Sequence, residues 1–156
     1  MIIAVFSDTH GNTARMARAA EALRPDALVH LGDYERDAAA LRRALPDTPL
    51  YQVCGTCDVA PTSPDRLIAD FGAVRALLVH GHQYGVDWGR LDSLIYAAQE
   101  AQCRLVLFGH THERENLEIG GVRAVNPGSA GMGRAPSFAV VEIFDNGGVA
   151  ASIRDL

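Results

Sequence analysis

The chain contains no lysine: all 14 of the basic residues among its 156 are arginine. That excludes mechanisms built on a lysine amine, such as a Schiff base or the lysine of a phosphate-binding P-loop. Cysteine is scarce as well. Cys54, Cys57 and Cys103 are the only three, too few for a disulfide framework. No apolar run approaches the ~18 residues of a membrane span. Met1 leads directly into an apolar run with no basic n-region and no cleavage-site pattern, so a soluble, cytoplasmic protein is expected. Excess positive charge is also missing. The formal net charge is −5, which gives no electrostatic footprint for nucleic acid. Repeats, linkers and low-complexity segments are absent. The remaining composition, 48% hydrophobic, suits one domain spanning residues 1–156 with a sizeable core.

What the sequence does have is histidine in a pattern. Five of the six histidines fall in three tight clusters, each closing an apolar run. The runs read IIAVFSDTHGN, ALLVHGH and LVLFGHTH. Asp8 and His10 end the first, His80 and His82 the second, His110 and His112 the third. Residues i and i+2 of a strand point the same way, so each cluster is expected to present two ligand-type side chains from a strand end. Open α/β sheets place their sites at that carboxyl edge. Asp33, closing ALVHLGD, adds another carboxylate. Imidazoles and carboxylates converging from separate strands indicate a metal centre.

Apolar periodicity predicts the scaffold. Strands are expected at 2–7, 27–31, 49–53 and 104–108. Helices are expected at 13–23, with Met16, Ala20 and Leu23 inward, at 35–45, and at 88–101, with Trp88, Leu91, Ile95 and Ala98 on one face. Pro61 and Pro64 mark 59–65 as loop. Three hairpins are predicted: RLIADF and VRALLVH around Gly72, LEI-GG-VRAV, and FAVVEIF-DNGG-VAASI. Parallel strands followed by hairpins suggest two sheets packed face to face with helices outside.

A dinuclear centre needs a bridging ligand between cations roughly 3.5–4 Å apart, and a carboxylate reduces their repulsion. Asp33, alone at its strand end, suits that role. Such a pair generates a hydroxide at neutral pH and clamps a phosphoryl group for in-line attack.

Taken together, D-x-H-G-N (Asp8, His10, Gly11, Asn12), G-D (Gly32, Asp33), G-T-C-D (Gly55 to Asp58), H-G-H (His80 to His82) and G-H-T-H (Gly109 to His112) resemble the calcineurin-like metallophosphoesterases. N-P-G-S (Asn126 to Ser129) and the short length resemble the small bacterial and archaeal phosphodiesterase branch. The resemblance covers nearly the whole chain, in order. It implies a four-layer α/β/β/α sandwich and phosphoester hydrolysis with two divalent ions, usually Mn²⁺, with Ni²⁺, Fe²⁺ or Zn²⁺ as alternatives. It assigns Asp8, His10, Asp33 and His112 to the first ion and Asp33, His80 and His110 to the second. The family expects an asparagine after Gly55. Here Thr56 stands there, a shorter and poorer neutral ligand, so a weaker second site is expected. Cys57 occupies the position of a histidine that assists the leaving group in many relatives.

Cys57, Asp58 and His82 are the remaining candidates for the chemistry, and Asn12 and Arg134 for contact with substrate. Each has a plainer reading. His82 serves equally as an outer support, Asn12 as a loop anchor, and N-P-G-S as a fixed turn beside His112. His30 reads as a core-edge or cross-strand histidine. Cys54 and Cys57 form a C-x-x-C, but loop-type residues follow, unlike a redox pair that opens a helix.

The expected function is therefore a metal-dependent phosphodiesterase acting on a small phosphoester. The lack of lysine and the few arginines near the motifs favour diesters over dianionic monoesters. The alternative is a non-catalytic scaffold or interaction module on the same fold, with a weakened second metal site. The sequence leaves the oligomeric state open, a homo-oligomer included.

Overall fold

A computed structural model describes residues 1–156. Ten strands form two five-stranded sheets. The first has the order β10-β9-β1-β2-β3. It comprises β1 (Ile2–Phe6), β2 (Ala27–His30), β3 (Leu50–Gln52), β9 (Ser137–Ile143) and β10 (Val149–Asp155). The second has the order β4-β5-β6-β8-β7. It comprises β4 (Arg66–Phe71), β5 (Val74–Val79), β6 (Leu105–Leu107), β7 (Arg114–Ile119) and β8 (Val122–Pro127). In each sheet three neighbouring strands run parallel, β1-β2-β3 in one and β5-β6-β8 in the other, and hairpin partners complete the edges.

Alternation along β1 shows how the layers arise. Ile3 and Val5 face the space between the sheets, where they meet Val29, Leu31, Phe71, Leu78, Leu105 and Val141. Ala4 and Phe6 face the other way, because successive strand side chains take opposite faces. On that outer face α1 (Ala14–Leu23) contributes Met16 and Ala20, and α2 (Ala38–Ala44) contributes Leu41. Phe6 stacks on Phe138 at 5.3 Å between centroids. On the far side of the second sheet, α3 (Asp92–Glu100) buries Leu94, Ile95 and Ala98 against Leu77, Val106 and Phe108. Full burial of each such large side chain contributes roughly 1.5–3 kcal/mol. The four-layer α/β/β/α arrangement and all three expected hairpins are present. No helix is long and apolar enough to cross a membrane.

Two expected helices are shorter than their periodicity suggests. Residues Glu35–Asp37 form a 3₁₀ turn before α2, entered through a left-handed Tyr34 (φ 71°). Trp88 does not belong to α3. It closes a separate 3₁₀ turn, Val86–Trp88, set off by Gly85 and Gly89 in left-handed conformations, and it is 82% exposed. The apolar stripe that begins at Leu91 is the one that packs.

Candidate metal centre

The carboxyl ends of β1, β2, β5 and β6 meet at one edge, and hydrogen bonds lace the two sheets together there. Asp8 N–H donates to Gly32 O within the first sheet, and Gly109 N–H to His80 O within the second. Between sheets, His80 Nδ1 lies 2.8 Å from Leu31 O, His110 N–H donates to Asp8 Oδ2 at 3.1 Å, and Ser129 Oγ donates to Asp8 O at 2.7 Å.

The ligand-type residues do not extend their strands. β1 stops at Phe6, and Asp8, His10, Asp33, His110 and His112 all have left-handed backbones, with φ of 54°, 44°, 54°, 73° and 59°. Simple strand alternation therefore does not aim these side chains, contrary to the sequence expectation. Tight turns do. Such conformations cost on the order of 1–3 kcal/mol each for non-glycine residues and persist where the surroundings enforce them. Gly109 and Gly55 are part of that enforcement. A side chain at Gly109 would strike Ser7 and the Asp8 carboxylate, and one at Gly55 would strike Asp33.

Four of the candidates converge closely. Ligand atoms of Asp8, His10, Asp33 and His112 all lie within 4.8 Å of one another. Asp33 has its two oxygens on different sides of this group. Oδ2 is 3.7 Å from His10 Nε2, and Oδ1 is 3.4 Å from His80 Nε2. His110 Nδ1 lies 3.2 Å from His80 Nε2. The six strand-end candidates thus form one cluster, with Asp33 between its halves.

The electrostatics of the cluster suit a cation. Asp8 is fully buried, and its Oδ1 has no hydrogen-bond partner. His112 Nε2 stands 3.3 Å from that oxygen. A buried carboxylate oxygen without a donor is costly unless a positive charge meets it. The Leu31 carbonyl can only accept, so His80 carries its proton on Nδ1 and turns a bare Nε2 into the cluster. His110 Nε2 lies 2.7 Å from Asp87 Oδ1, an acceptor for its proton, so in the neutral ring Nδ1 is the nitrogen with the free lone pair. His110 Nδ1 and His80 Nε2 face each other at 3.2 Å. His10 Nε2 and His112 Nε2 face each other at 3.4 Å. Two nitrogens on one tetrahedral cation at ~2.1 Å stand roughly 3.4 Å apart, so the donor sets fit divalent metal ions.

Several side chains are shifted by these surroundings. Burial alone would raise the Asp33 carboxyl, but the Cys57 N–H, at 2.8 Å from Oδ1, and the neighbouring His80 hold it below its ordinary value. Burial, then the Asp33 carboxylate, pushes the Cys57 thiol up. Burial and the adjacent His80 and His110 push His82 down. The Asp8 carboxylate pushes His112 up.

The other candidates lie around the cluster. Thr56 is exposed, and its Oγ1 donates to Asp33 Oδ1 at 3.3 Å. The His82 ring stands 5.6 Å from that of His80 and 5.9 Å from that of His110. Asp58 has both oxygens taken by backbone donors, Oδ1 by Glu35 N–H and Oδ2 by Gly55 N–H, which ties the loop after β2 to the loop after β3. Asn12 donates through Nδ2 to Gly131 O at 2.9 Å. Arg134 is exposed, and the ion pairs of the cluster do not include it. All three cysteines are free thiols, with Cys54 buried and Cys57 exposed. His30 is wholly buried beneath the centre and contacts Thr9 Oγ1 at 3.2 Å.

One residue in this neighbourhood goes unnoticed in the sequence, and two others are read there only as part of a turn. Asp87 sits in a glycine-flanked turn that reads as the run-up to a helix. Asn126 and Ser129 read only as a turn, yet Asn126 donates to Gly109 O and Thr111 Oγ1 while Ser129 holds Asp8 O.

Comparison with known proteins agrees with this architecture. Residues 1–146 match the family model described as the calcineurin-like phosphoesterase superfamily domain. The chain belongs to that family. A probable metallophosphoesterase of Bacillus subtilis (strain 168), YsnB, is 30% identical over 160 residues, covering 99% of this chain and 89% of its own. Among solved structures, a predicted phosphoesterase from Streptococcus pneumoniae TIGR4 superposes with a TM-score of 0.78 at 25% identity, covering 99% of this chain and 97% of its own. Vps29 of Entamoeba histolytica, in complex with Zn²⁺, gives 0.77 at 24% identity and 99% coverage of both chains.

Proposed function

We propose that this metallophosphoesterase-family protein is a phosphodiesterase that hydrolyses a small diester with two divalent cations, Mn²⁺ foremost. The observation that carries the reading is the arrangement of four imidazole nitrogens as two facing pairs, 3.4 Å and 3.2 Å apart, with Asp33 between them. In this reading Asp8, His10, Asp33 and His112 hold one cation, and Asp33, His80 and His110 the other, with Asp33 as the bridge. Bound cations of this kind supply charge neutralisation for the phosphoryl oxygens and a nucleophile derived from water at neutral pH. The chain's own residues do the rest. The depressed Asp33 carboxyl stays anionic across the neutral range. Cys57 Sγ keeps its proton and is the donor to the leaving oxygen, while His82, whose ring is held neutral, offers that oxygen an N–H hydrogen bond. Asn126 and Ser129 hold the turns that carry Asp8 and His112 at fixed spacing.

Diesters are favoured by the two clefts beside the centre, because a diester has an arm on each side of phosphorus. One, of about 450 Å³, is lined by Gly11, next to His10 in the chain, and by Asn12, Arg15 and Arg18. The other, of about 270 Å³, adjoins Asp33 and is lined by Tyr34, Arg36, Cys57 and Val59. These arginines count against the argument from arginine scarcity near the motifs. They are brought in from helices, and the preference for diesters rests on the clefts instead. Arg15, Arg18 and Arg36 join Arg134 as the arginines to test against substrate.

An interaction module on the same fold is the second reading, favoured by Trp88 and Tyr96, which are 82% and 62% exposed. Assay of the Mn²⁺-loaded protein against bis(p-nitrophenyl) phosphate, p-nitrophenyl phosphate and a cyclic nucleotide separates the two. Turnover of the diester above the monoester is expected. Two bound cations with no turnover of any ester would leave the module reading.

A further inference from the structure

We infer that Asp87 is a positioning residue for the second cation site, acting through His110. The inference rests on the two-cation reading above. The Asp87 carboxylate lies 2.7 Å from His110 Nε2. It accepts the Nε2–H, and that fixes the tautomer and the direction of the ring. The bare Nδ1 is then held 3.2 Å from His80 Nε2, and His80 Nε2 in turn stands 3.4 Å from Asp33 Oδ1. The donors of the second site are therefore set by two different acceptors outside it, the Leu31 carbonyl for His80 and the Asp87 carboxylate for His110.

The two acceptors are not equivalent. Leu31 O is a neutral backbone acceptor in a buried setting. Asp87 is a charged acceptor on a half-exposed side chain. A carboxylate behind a ligand imidazole raises its basicity as well as fixing its orientation, and such outer partners typically change metal affinity 10–100-fold. As a bare ion pair the contact would contribute little to stability, since its screening by water is substantial. Its value lies in aiming His110.

The local backbone is built to hold this contact. Asp87 occupies the middle of the Val86–Trp88 turn, which is closed on both sides by glycines with φ of 70° and 65°. Val86 is buried beneath it and packs against the second sheet. His110 is fixed at its own backbone by the N–H bond to Asp8 Oδ2. One carboxylate thus holds the main chain of His110 and another holds its ring.

The test uses the full chain. Long-range ¹⁵N–¹H correlation spectra of the metal-free protein report which ring nitrogen of His110 carries the proton. Wild type is expected to show Nε2–H. Asp87→Ala is expected to show a tautomer mixture at His110 with His80 unchanged. Calorimetric titration with Mn²⁺ should then show the tighter binding step preserved and the weaker step reduced 10–100-fold. Asp87→Asn keeps an acceptor oxygen without the charge, and should recover the tautomer and part of the affinity. It also keeps the test open should the alanine variant lose the turn. Unchanged His110 tautomer and unchanged second-step affinity in Asp87→Ala would overturn the inference, as would a single Mn²⁺ step in wild type. Two graded steps in a protein that hydrolyses no ester would count against the phosphodiesterase reading and leave the Asp87 inference standing.

Discussion

The two halves of the centre are assembled differently. On the side proposed for the first cation, four ligand-type residues converge within 4.8 Å, and two of them are buried carboxylates. On the side of the second, two histidines face each other, one propped by a buried carbonyl and the other by a half-exposed carboxylate. The remaining neighbour there, Thr56, gives its hydroxyl proton to Asp33. The first half is organised by anions that need a cation. The second is organised by neutral donors that must be aimed. Affinity should therefore be graded, with the first half filling first.

Asp33 belongs to both halves, so its loss should have the largest effect. Asp33→Asn keeps the shape and an acceptor for the Cys57 N–H, but removes the charge between the two sides. Diesterase activity should fall by ~10³-fold or more, beyond the roughly 10–100-fold typical of an outer partner. Thermal unfolding of the metal-free variant should show an intact fold. Near wild-type turnover with both Mn²⁺ steps retained would remove Asp33 from the bridging role.

Next in size is a pH effect on stability that originates beneath the first half. His30 lies beneath it, wholly buried, with Nε2 near Thr9 Oγ1 and Nδ1 accepting Gly32 N–H at 3.3 Å. Burial lowers its pKa from 6.5 to about 4. Because the folded protein keeps this ring neutral, His30 takes nothing from stability above about pH 6.5. As the pH falls from 6.5 towards 4, the unfolded chain binds a proton that the folded chain refuses, and stability is lost. At ~1.4 kcal/mol per pKa unit, that amounts to about 3 kcal/mol. Urea unfolding at pH 7 and pH 4.5 should show a drop larger by this amount in wild type than in His30→Gln. Equal drops would mean that the ring is protonated inside the fold.

How much of this asymmetry could be read from the sequence depends on the kind of information involved. Ile3 and Val5 alternate with Ala4 and Phe6, and Gly120-Gly121 separates two apolar runs. Both are local signals, so strands, hairpins and layers were legible. Asp8, His10, Asp33, His80, His110 and His112 were legible because their residue types recur after apolar runs. Their left-handed turns were not, since the argument from strand alternation assumes extended backbone. Trp88 was misplaced because helical spacing continues through Gly89, while the glycine conformations that end it do not show in periodicity. Asp58 carries the same residue type as a chemical group, and only its two backbone donors distinguish it. Arg15 and Arg18 lie far from the other histidine motifs along the chain and enter through packing of α1.

Single-ligand variants should separate the halves by roughly ten- to a hundredfold in affinity, one site at a time, as for a lost charge-assisted contact of ~1.5–3 kcal/mol. His112→Ala should weaken the tighter Mn²⁺ step and spare the other. His80→Ala should do the reverse. Calorimetry on both variants checks the assignment. Equal weakening of both steps by either change would mean that the two halves are a single coupled site.

The smallest expected effect sharpens the weaker half. Thr56 Oγ1 lies 3.3 Å from Asp33 Oδ1, the oxygen that faces His80. The hydroxyl donates to that carboxylate and so draws on a lone pair that the proposed second cation would need. The change Thr56→Asn removes that donor and offers an amide oxygen on a longer side chain. Asp33 would stay fixed by the Cys57 N–H, and the bare backbone of Gly55 leaves Asp33 and His80 uncrowded. Thr56 is exposed, so the larger side chain has room outside the core. One added neutral ligand should improve second-site affinity by about tenfold, the lower end of a charge-assisted contact. Titrating activity against Mn²⁺ for wild type and Thr56→Asn measures the change. The midpoint of the weaker step should move to lower Mn²⁺ while the tighter step stays fixed. Identical midpoints would show that position 56 lies outside the ligand shell, and the weakness of the second half would then have to come from its two aimed histidines alone.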